Sequence, residues 1–192
     1  MARAAAKQSY SQMAKAKGIK YFLISYSDLG GVARSKLVPA AAIDAMAQDG
    51  AGFAGFSTYL DLTPAHPDMF GLPDMDAMIQ LPWKKEVAWV PSNLMMSGKE
   101  VGQGPRNVLR RMMAKAAKQG FYMKTGVECE YHLINADGSD ISDARDTAAK
   151  PCYDQQALMR RYDVVAEICD AMLEMGWGPY QNDHEDSNGQ FE

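Results

Sequence analysis

The stretch VECEYHL, residues 127–133, sets Glu128, Glu130 and His132 two apart with Val127, Cys129, Tyr131 and Leu133 between them. An extended strand alternates its side chains between faces, so two carboxylates and an imidazole fall on one side and an apolar set on the other. The strand rise puts the two acids about 6 to 7 Å apart. At that distance they repel each other unless water, a cation or a metal ion compensates them. A strand side facing solvent would use the same pattern, and the seven residues alone do not separate the two readings.

A second acidic group lies at the other end of the chain. WGPYQNDHEDSNGQFE, residues 177–192, has hairpin spacing: an extended arm to about Glu185, a turn over Asp186, Ser187, Asn188 and Gly189, and a returning arm of Gln190, Phe191 and Glu192. Glu185 and Glu192 then stand near each other across the turn. A sheet that lays this hairpin beside the Glu128 strand gathers Glu128, Glu130, Glu185 and Glu192 into one oxygen-rich site. Such ligands suit hard divalent cations, Mg²⁺ or Mn²⁺, whereas Zn²⁺ wants more His or Cys than His132 and His184 supply. His184 faces opposite to Glu185 in a regular strand and is expected to be a packed or capping residue.

The elements that must position these acids read as α+β. A leading helix is expected over residues 1–18, although the Ala-rich start, with Asp28 the first acidic residue, also has transit-peptide bias. IKYFLISYSD reads as a strand and DLGGVARSKLVP as a turn and second strand closed by Pro39. A short helix over residues 40–48 stops at Gly50, and AGFAGFSTYLDL suits another strand. TPAHPDMFGLPDMD, with Pro64, Pro67 and Pro73, is expected to be a long loop, followed by strands around AMIQLP and EVAWVPSNLM. GPRNVLRRMMAKAAKQG is the clearest helix, with Pro105 in its first turn, Gly120 past its end and an apolar stripe of Val108, Leu109, Met112, Met113 and Ala116. FYMKTGVECEYHLIN is then a strand. A last helix runs from N-cap Asp154 to Gly176 with Leu158, Tyr162, Val165, Cys169 and Met172 on one side. The loop between them carries Asp137, Asp140, Asp143 and Asp146 at a period of three and reads as solvated, because it lacks the Gly and bidentate Glu of a calcium loop.

Composition sets outer limits. The 192 residues are 47% hydrophobic and 23% charged, which is ordinary globular usage and enough for one domain and part of another. Twenty basic against 24 acidic residues leave a formal charge of −4, which argues against nucleic acid as a partner. No run of 18 apolar residues and no secretory h-region occur, so neither a membrane span nor export is expected and a cytoplasmic location is. Cys129, Cys152 and Cys169 lack C-x-x-C spacing and are expected to be reduced, and most of the 14 Met residues to fill core gaps.

Five motifs in order resemble the glutamine synthetase family: DLGGVARSKLVP its D-x-x-G-x-x-x-x-K-x-V-P hairpin, HPDMFGLPD its S-D-M-x-L-x-P-D loop, GPRNVLRRM its P-R-x-x-L-K-R helix start, then E-x-E and E-x-x-x-G-Q-x-E. The likeness runs from about Ile19 to Glu192. It implies a β-grasp N-terminal domain over residues 19–102 and, from residue 103, the start of a larger catalytic domain, with active sites shared between subunits of a large homo-oligomer. It further implies that Glu130, Glu185 and Glu192 hold one divalent ion and Glu128 helps hold a second near the nucleotide phosphates. The reaction would be ATP-dependent: glutamate is phosphorylated on its side chain, and an amine displaces the phosphate.

Two departures from the family pattern bear on this. Ala54, in FAGFSTYLD, stands where the family has an Asp that helps bind ammonium, so methylamine joins ammonia as a candidate substrate. Asp68 still matches and is a candidate amine-site residue. The family's other ligands and its arginines fall beyond Glu192, so the sequence reads as a truncated front part expected to be inactive alone. A non-catalytic relative whose glutamates merely bind cations is the alternative.

Overall fold

A computed structural model describes residues 8–192; residues 1–7, the front of the expected leading helix, lie outside the described residues. The chain divides into two compact units, residues 1–123 and 124–192.

The first unit is a mixed sheet with helices. Helix α1 (Tyr10–Lys17) opens with a capping box, in which the Ser9 hydroxyl accepts from Gln12 N–H and the Gln12 side chain accepts from Ser9 N–H. Strands β1 (Tyr21–Ser27) and β2 (Ala33–Pro39) form the expected hairpin, in register from Tyr21 opposite Pro39 to Ser27 opposite Ala33. Its turn is organised by Asp28, a buried carboxylate that accepts from Gly30 N (2.9 Å), Val32 N (3.0 Å) and Arg34 Nε (2.8 Å). Helix α2 (Ile43–Asp49), stopped at Gly50, precedes β3 (Ala51–Phe53), β4 (Met69–Pro73), β5 (Ile79–Gln80), β6 (Val87–Met96) and β7 (Lys99–Glu100). The order across the sheet is β2-β1-β6-β4-β3, with β1 and β6 parallel and the other pairs antiparallel; β5 and β7 also pair with β6. Pro91 lies inside β6 because the strand changes partners there: β1 pairs up to Pro91, and β4 takes over from Ser92. Two apolar clusters fill the unit, one around Phe22, Ile24, Ile43 and Val90, the other around Tyr26, Leu60, Met69 and Leu94.

Three expectations need correction here. The strand over AGFAGFSTYLDL is only Ala51–Phe53 long; Gly55–Ser57 is a 3₁₀ turn, and the Leu62 side chain packs where a Cβ on Gly55 would lie. The long loop contains β4, whose buried Met69 and Gly71 alternate with exposed Phe70, and Pro73 is tolerated because it ends the strand. Helix α3 (Pro105–Ala117) forms as expected and packs within the first compact unit, fastened through polar groups. Buried Asn107 donates to Leu94 O (2.7 Å) and Val101 O (3.1 Å), and Arg106 pairs with Asp74 at 2.6 Å. Its stripe Val108, Leu109, Met112 and Met113 is exposed rather than core.

The second unit holds β8 (Tyr131–His132), α4 (Gln155–Arg160), α5 (Tyr162–Glu174) and β9 (Gln190–Phe191). The expected strand over residues 121–135 is reduced to β8, and residues 121–130 form no ladder. The single helix from Asp154 is two helices. Asp154 caps α4 by accepting from Gln156 N (2.8 Å), but the run breaks at Arg161, whose guanidinium bonds Ser142 Oγ (3.1 Å) and Ser142 O. The aspartate loop is not solvated throughout: Asp143 and Asp146 are buried, the first against Arg160. Among the described residues no helix is long and apolar enough to cross a membrane.

Candidate metal centre

The hairpin near Glu192 closes as its Asn-Gly pair requires. Ser187 O accepts from Gln190 N at 3.0 Å, with Gly189 in the left-handed region at φ 77°. No other residue fits at 189, since a Cβ there would come within 2.7 Å of Ile141 Cγ2. From the turn the two arms pair: Glu185 N donates to Gln190 O (3.0 Å), His184 bridges Phe191, and Asp183 and Glu192 exchange N–H···O bonds at 3.3 and 3.1 Å. On its other side β9 pairs antiparallel with β8, Tyr131 opposite Phe191 and His132 opposite Gln190.

This three-stranded register sorts the side chains. One face carries Tyr131, Phe191 and His184, with ring centroids 6.2 Å apart for the stacked tyrosine–phenylalanine pair and 5.1 Å for the edge-on histidine–phenylalanine pair. Phe191 and His184 are fully buried, so His184 is the packed residue its position implied. The other face carries the acids. Ligand atoms of Glu128, Glu130 and Glu192 lie within 4.8 Å of one another, and so do those of Asp183, Glu185 and Glu192. All four glutamates singled out in the sequence thus converge through Glu192, which belongs to both groups. Glu130 stands with Glu128 rather than with Glu185. Asp183 was missed, though the period of two in Asp183-His184-Glu185 places it on the same face.

Crowding of these carboxylates shows in their protonation. The Glu192 carboxyl is raised to about 7, first by a hydrogen bond with Glu185, then by burial and the charges of Glu128, Glu185 and Asp183. Asp183 is also raised, by burial and then by Glu185. Gln190 holds part of the array in place: its Nε2 donates to Glu130 Oε2 at 2.6 Å while its Oε1 accepts from Ser187 N and Oγ at 3.1 and 2.8 Å. His132 turns to Ser187 Oγ (2.8 Å). The donor set is therefore all oxygen and anionic, the kind that hard divalent cations take.

Asp68 is an exposed residue of the first unit, directly before β4, and Ala54 lies in the same unit between β3 and the 3₁₀ turn.

Comparison with known proteins decides the family. Residues 102–192 match the family model described as glutamine synthetase, catalytic domain. A glutamine synthetase of Rhizobium leguminosarum bv. phaseoli is 68% identical over 179 residues, 93% of this chain and 41% of that protein. The chain belongs to the glutamine synthetase family. Within the family, a glutamate–methylamine ligase of Methyloversatilis universalis is 33% identical over 94% of this chain and 42% of its own length. A solved GmaS/ADP complex superposes with a TM-score of 0.92 at 55% identity, covering 95% of this chain and 43% of that one. The chain thus spans less than half the length of the relatives it matches, and its mixed sheet with helices is the α+β architecture of the family fold.

Proposed function

We propose that this chain is part of an ATP-dependent ligase that joins ammonia to the γ-carboxylate of glutamate through γ-glutamyl phosphate. The observation that carries the reading is the convergence of Glu128, Glu130, Glu185 and Glu192 on one face of the sheet of the second unit. In this reading Glu130 and Glu185, one from each group, would hold one divalent ion together with the shared Glu192, and Glu128 would contribute to a second near the nucleotide. When bound, Mg²⁺ or Mn²⁺ neutralises phosphate oxygens and the charge that develops in phosphoryl transfer. Glu192 gives up its proton as the site fills, and Gln190 keeps Glu130 turned toward it. Residues 19–102 form the family's β-grasp domain and the catalytic domain starts at residue 103, with Asp68 serving an amine site built between subunits of a large cytoplasmic homo-oligomer.

Methylamine is the second reading, favoured by one feature of the sequence and one relative. Ala54 supplies no carboxylate where the family has an Asp, which weakens selectivity for a small cation and leaves room for an alkyl group. The relative is the glutamate–methylamine ligase of Methyloversatilis universalis, 33% identical over 94% of this chain.

The deciding experiment is an assay of the protein at the length of its relatives, with ATP, Mg²⁺ and glutamate and either ammonia or methylamine. Phosphate release coupled to glutamine or to γ-glutamylmethylamide, identified by mass, selects the amine. Failure to form either amide by a folded, metal-loaded protein overturns the ligase reading in favour of a non-catalytic relative.

A further inference from the structure

Three acids of the candidate metal centre, Asp183, Glu185 and Glu192, sit on a hairpin that is tied by backbone bonds from Leu133 N to Gly189 O and from Tyr153 N to His184 O, and by one buried carboxylate. Asp146 lies in the loop before α4 and is 3% exposed. Its Oδ2 accepts from Gly189 N at 2.6 Å and lies 2.6 Å from His184 Nε2; its Oδ1 accepts from Asn188 Nδ2 at 3.0 Å. The chain of contacts continues, because His184 Nδ1 lies 2.9 Å from Glu185 O and Asn188 Nδ2 also reaches Ala148 O at 3.2 Å. One side chain therefore touches both the outgoing arm and the turn of the hairpin, some 40 residues away in sequence, without being one of the clustered acids.

We propose that Asp146 is a positioning residue for the metal centre, acting through His184 and Gly189 on the orientation of Asp183, Glu185 and Glu192. The backbone bond from Gln190 N to Ser187 O already closes the turn, so closure alone does not call for a buried charge. Burying a carboxylate is costly unless every lone pair finds a donor. Here the donors are all hairpin residues: His184 lies between Asp183 and Glu185, and Gly189 is three residues from Glu192. Fixing the ring and the turn fixes the rotation of both arms about their axes, and with it which face the acids occupy. Groups that support metal ligands in this way typically change metal affinity about 10- to 100-fold when removed.

The inference rests on the metal reading above, and the test separates the two. Mn²⁺ affinity of the 192-residue chain is measured by electron paramagnetic resonance of free Mn²⁺, at a temperature where circular dichroism shows each variant folded. Asp146→Asn is expected to weaken binding about tenfold or more. Ala157→Gly, a buried helix position that contacts neither Asp146 nor the hairpin in the bonds described, serves as a control for lost stability and is expected to stay within about twofold of the parent. The exchange Asp146→Asn with Asn188→Asp restores an amide–carboxylate pair at the same place and is expected to recover part of the loss. Should Asp146→Asn not fold, Asn188→Ala removes one donor to the same carboxylate and is expected to weaken binding about threefold. Binding within twofold of the parent in Asp146→Asn, or in Asn188→Ala where that variant stands in, while Glu192→Gln loses it, overturns the role of Asp146 and leaves the metal centre standing. Undiminished binding in Glu192→Gln overturns both.

Discussion

Asp183 and Glu192 face each other across the hairpin, Asp183 N donating to Glu192 O at 3.3 Å and Glu192 N to Asp183 O at 3.1 Å. That pairing brings two carboxylates onto one face of adjacent strands, where Glu185 and Glu130 flank them. Like charges so placed destabilise a sheet unless a proton or a cation intervenes. The hairpin thus carries a local cost that a divalent ion would remove, and the first prediction follows from it.

Glu192 is raised to about 7 in the folded chain against an ordinary 4.5. The folded state then binds the proton more tightly than the unfolded state. Its contribution to stability is full below about pH 4.5 and is lost as pH rises through about 7. Replacing Glu192 by Gln removes this term. Without metal, the Tm of Glu192→Gln minus that of the parent should therefore increase from pH 5 to pH 8. With millimolar Mn²⁺ the difference should shift toward the parent, whose ionised Glu192 becomes a ligand. Mn²⁺ affinity of the parent should rise with pH over the same window by up to about tenfold per unit below pH 7, because binding expels the proton. A flat Tm difference and a flat affinity would show that Glu192 is not the crowded group.

The acids of this centre could be read from the sequence because strand alternation is local and strict. Glu128 and Glu130 share a face whether or not the strand around them is complete, and the Asn-Gly pair announces the turn that returns Glu192 to Glu185. The supports could not be read in the same way. Asp143 and Asp146 sit in a polar stretch whose composition says solvent, and their burial is set by partners as distant as Arg160 and His184. Strand β4 was concealed by three prolines, of which only Pro73 lies in the strand, and there at its end. The break at Arg161 depends on Ser142, a partner 19 residues away that no helical periodicity reveals.

Gly189 is the position where the turn has least freedom. An alanine there meets two penalties, a left-handed φ worth about 1 to 2 kcal/mol and a methyl 2.7 Å from Ile141 Cγ2. Overpacking of that kind adds about 1 to 3 kcal/mol. Gly189→Ala is expected to lower the Tm of the chain by several degrees and to reduce Mn²⁺ affinity in parallel, because the shift also pulls Gly189 N from Asp146. Ile141→Ala in the same background opens the space and should return part of the lost stability. Gly138, which has nothing within 4 Å of a built Cβ, should tolerate alanine better despite its similar φ of 71°.

Asp143 gives the acid limb of the stability profile. Burial pushes its carboxyl up, but the Arg160 hydrogen bond, the Arg145 N–H and the charges of Arg160 and Arg161 outweigh that and hold it below the usual carboxylate range. A lowered folded-state value means stability present at neutral pH and lost as pH falls through that value. Asp143→Asn should therefore lower Tm at pH 7 by several degrees and lower it less at pH 3. Equal losses at both values would assign the effect to packing and not to charge.

The exposed stripe on α3 makes the last test, because sequence and structure assign it opposite weights. Val108, Leu109, Met112 and Met113 have the periodicity of a core-facing helix, yet each is more than a third exposed. The fastening of α3 comes instead from Asn107 and Arg106, whose partners are Leu94 O, Val101 O and Asp74. Replacing both Met112 and Met113 by Gln should thus leave the stability of the 192-residue chain within about 0.5 kcal/mol for each site. Asn107→Ala should cost about 1 to 3 kcal/mol, since it removes two buried hydrogen bonds while Leu94 O and Val101 O keep their backbone donors Val101 N and Gly104 N. Leu94→Ala, in the core beneath, should cost about 2 to 5 kcal/mol. Denaturant melts of the four chains order these effects directly. A double methionine variant as unstable as Leu94→Ala would mean that the stripe is packed in solution, and that polar anchoring is not what holds the helix.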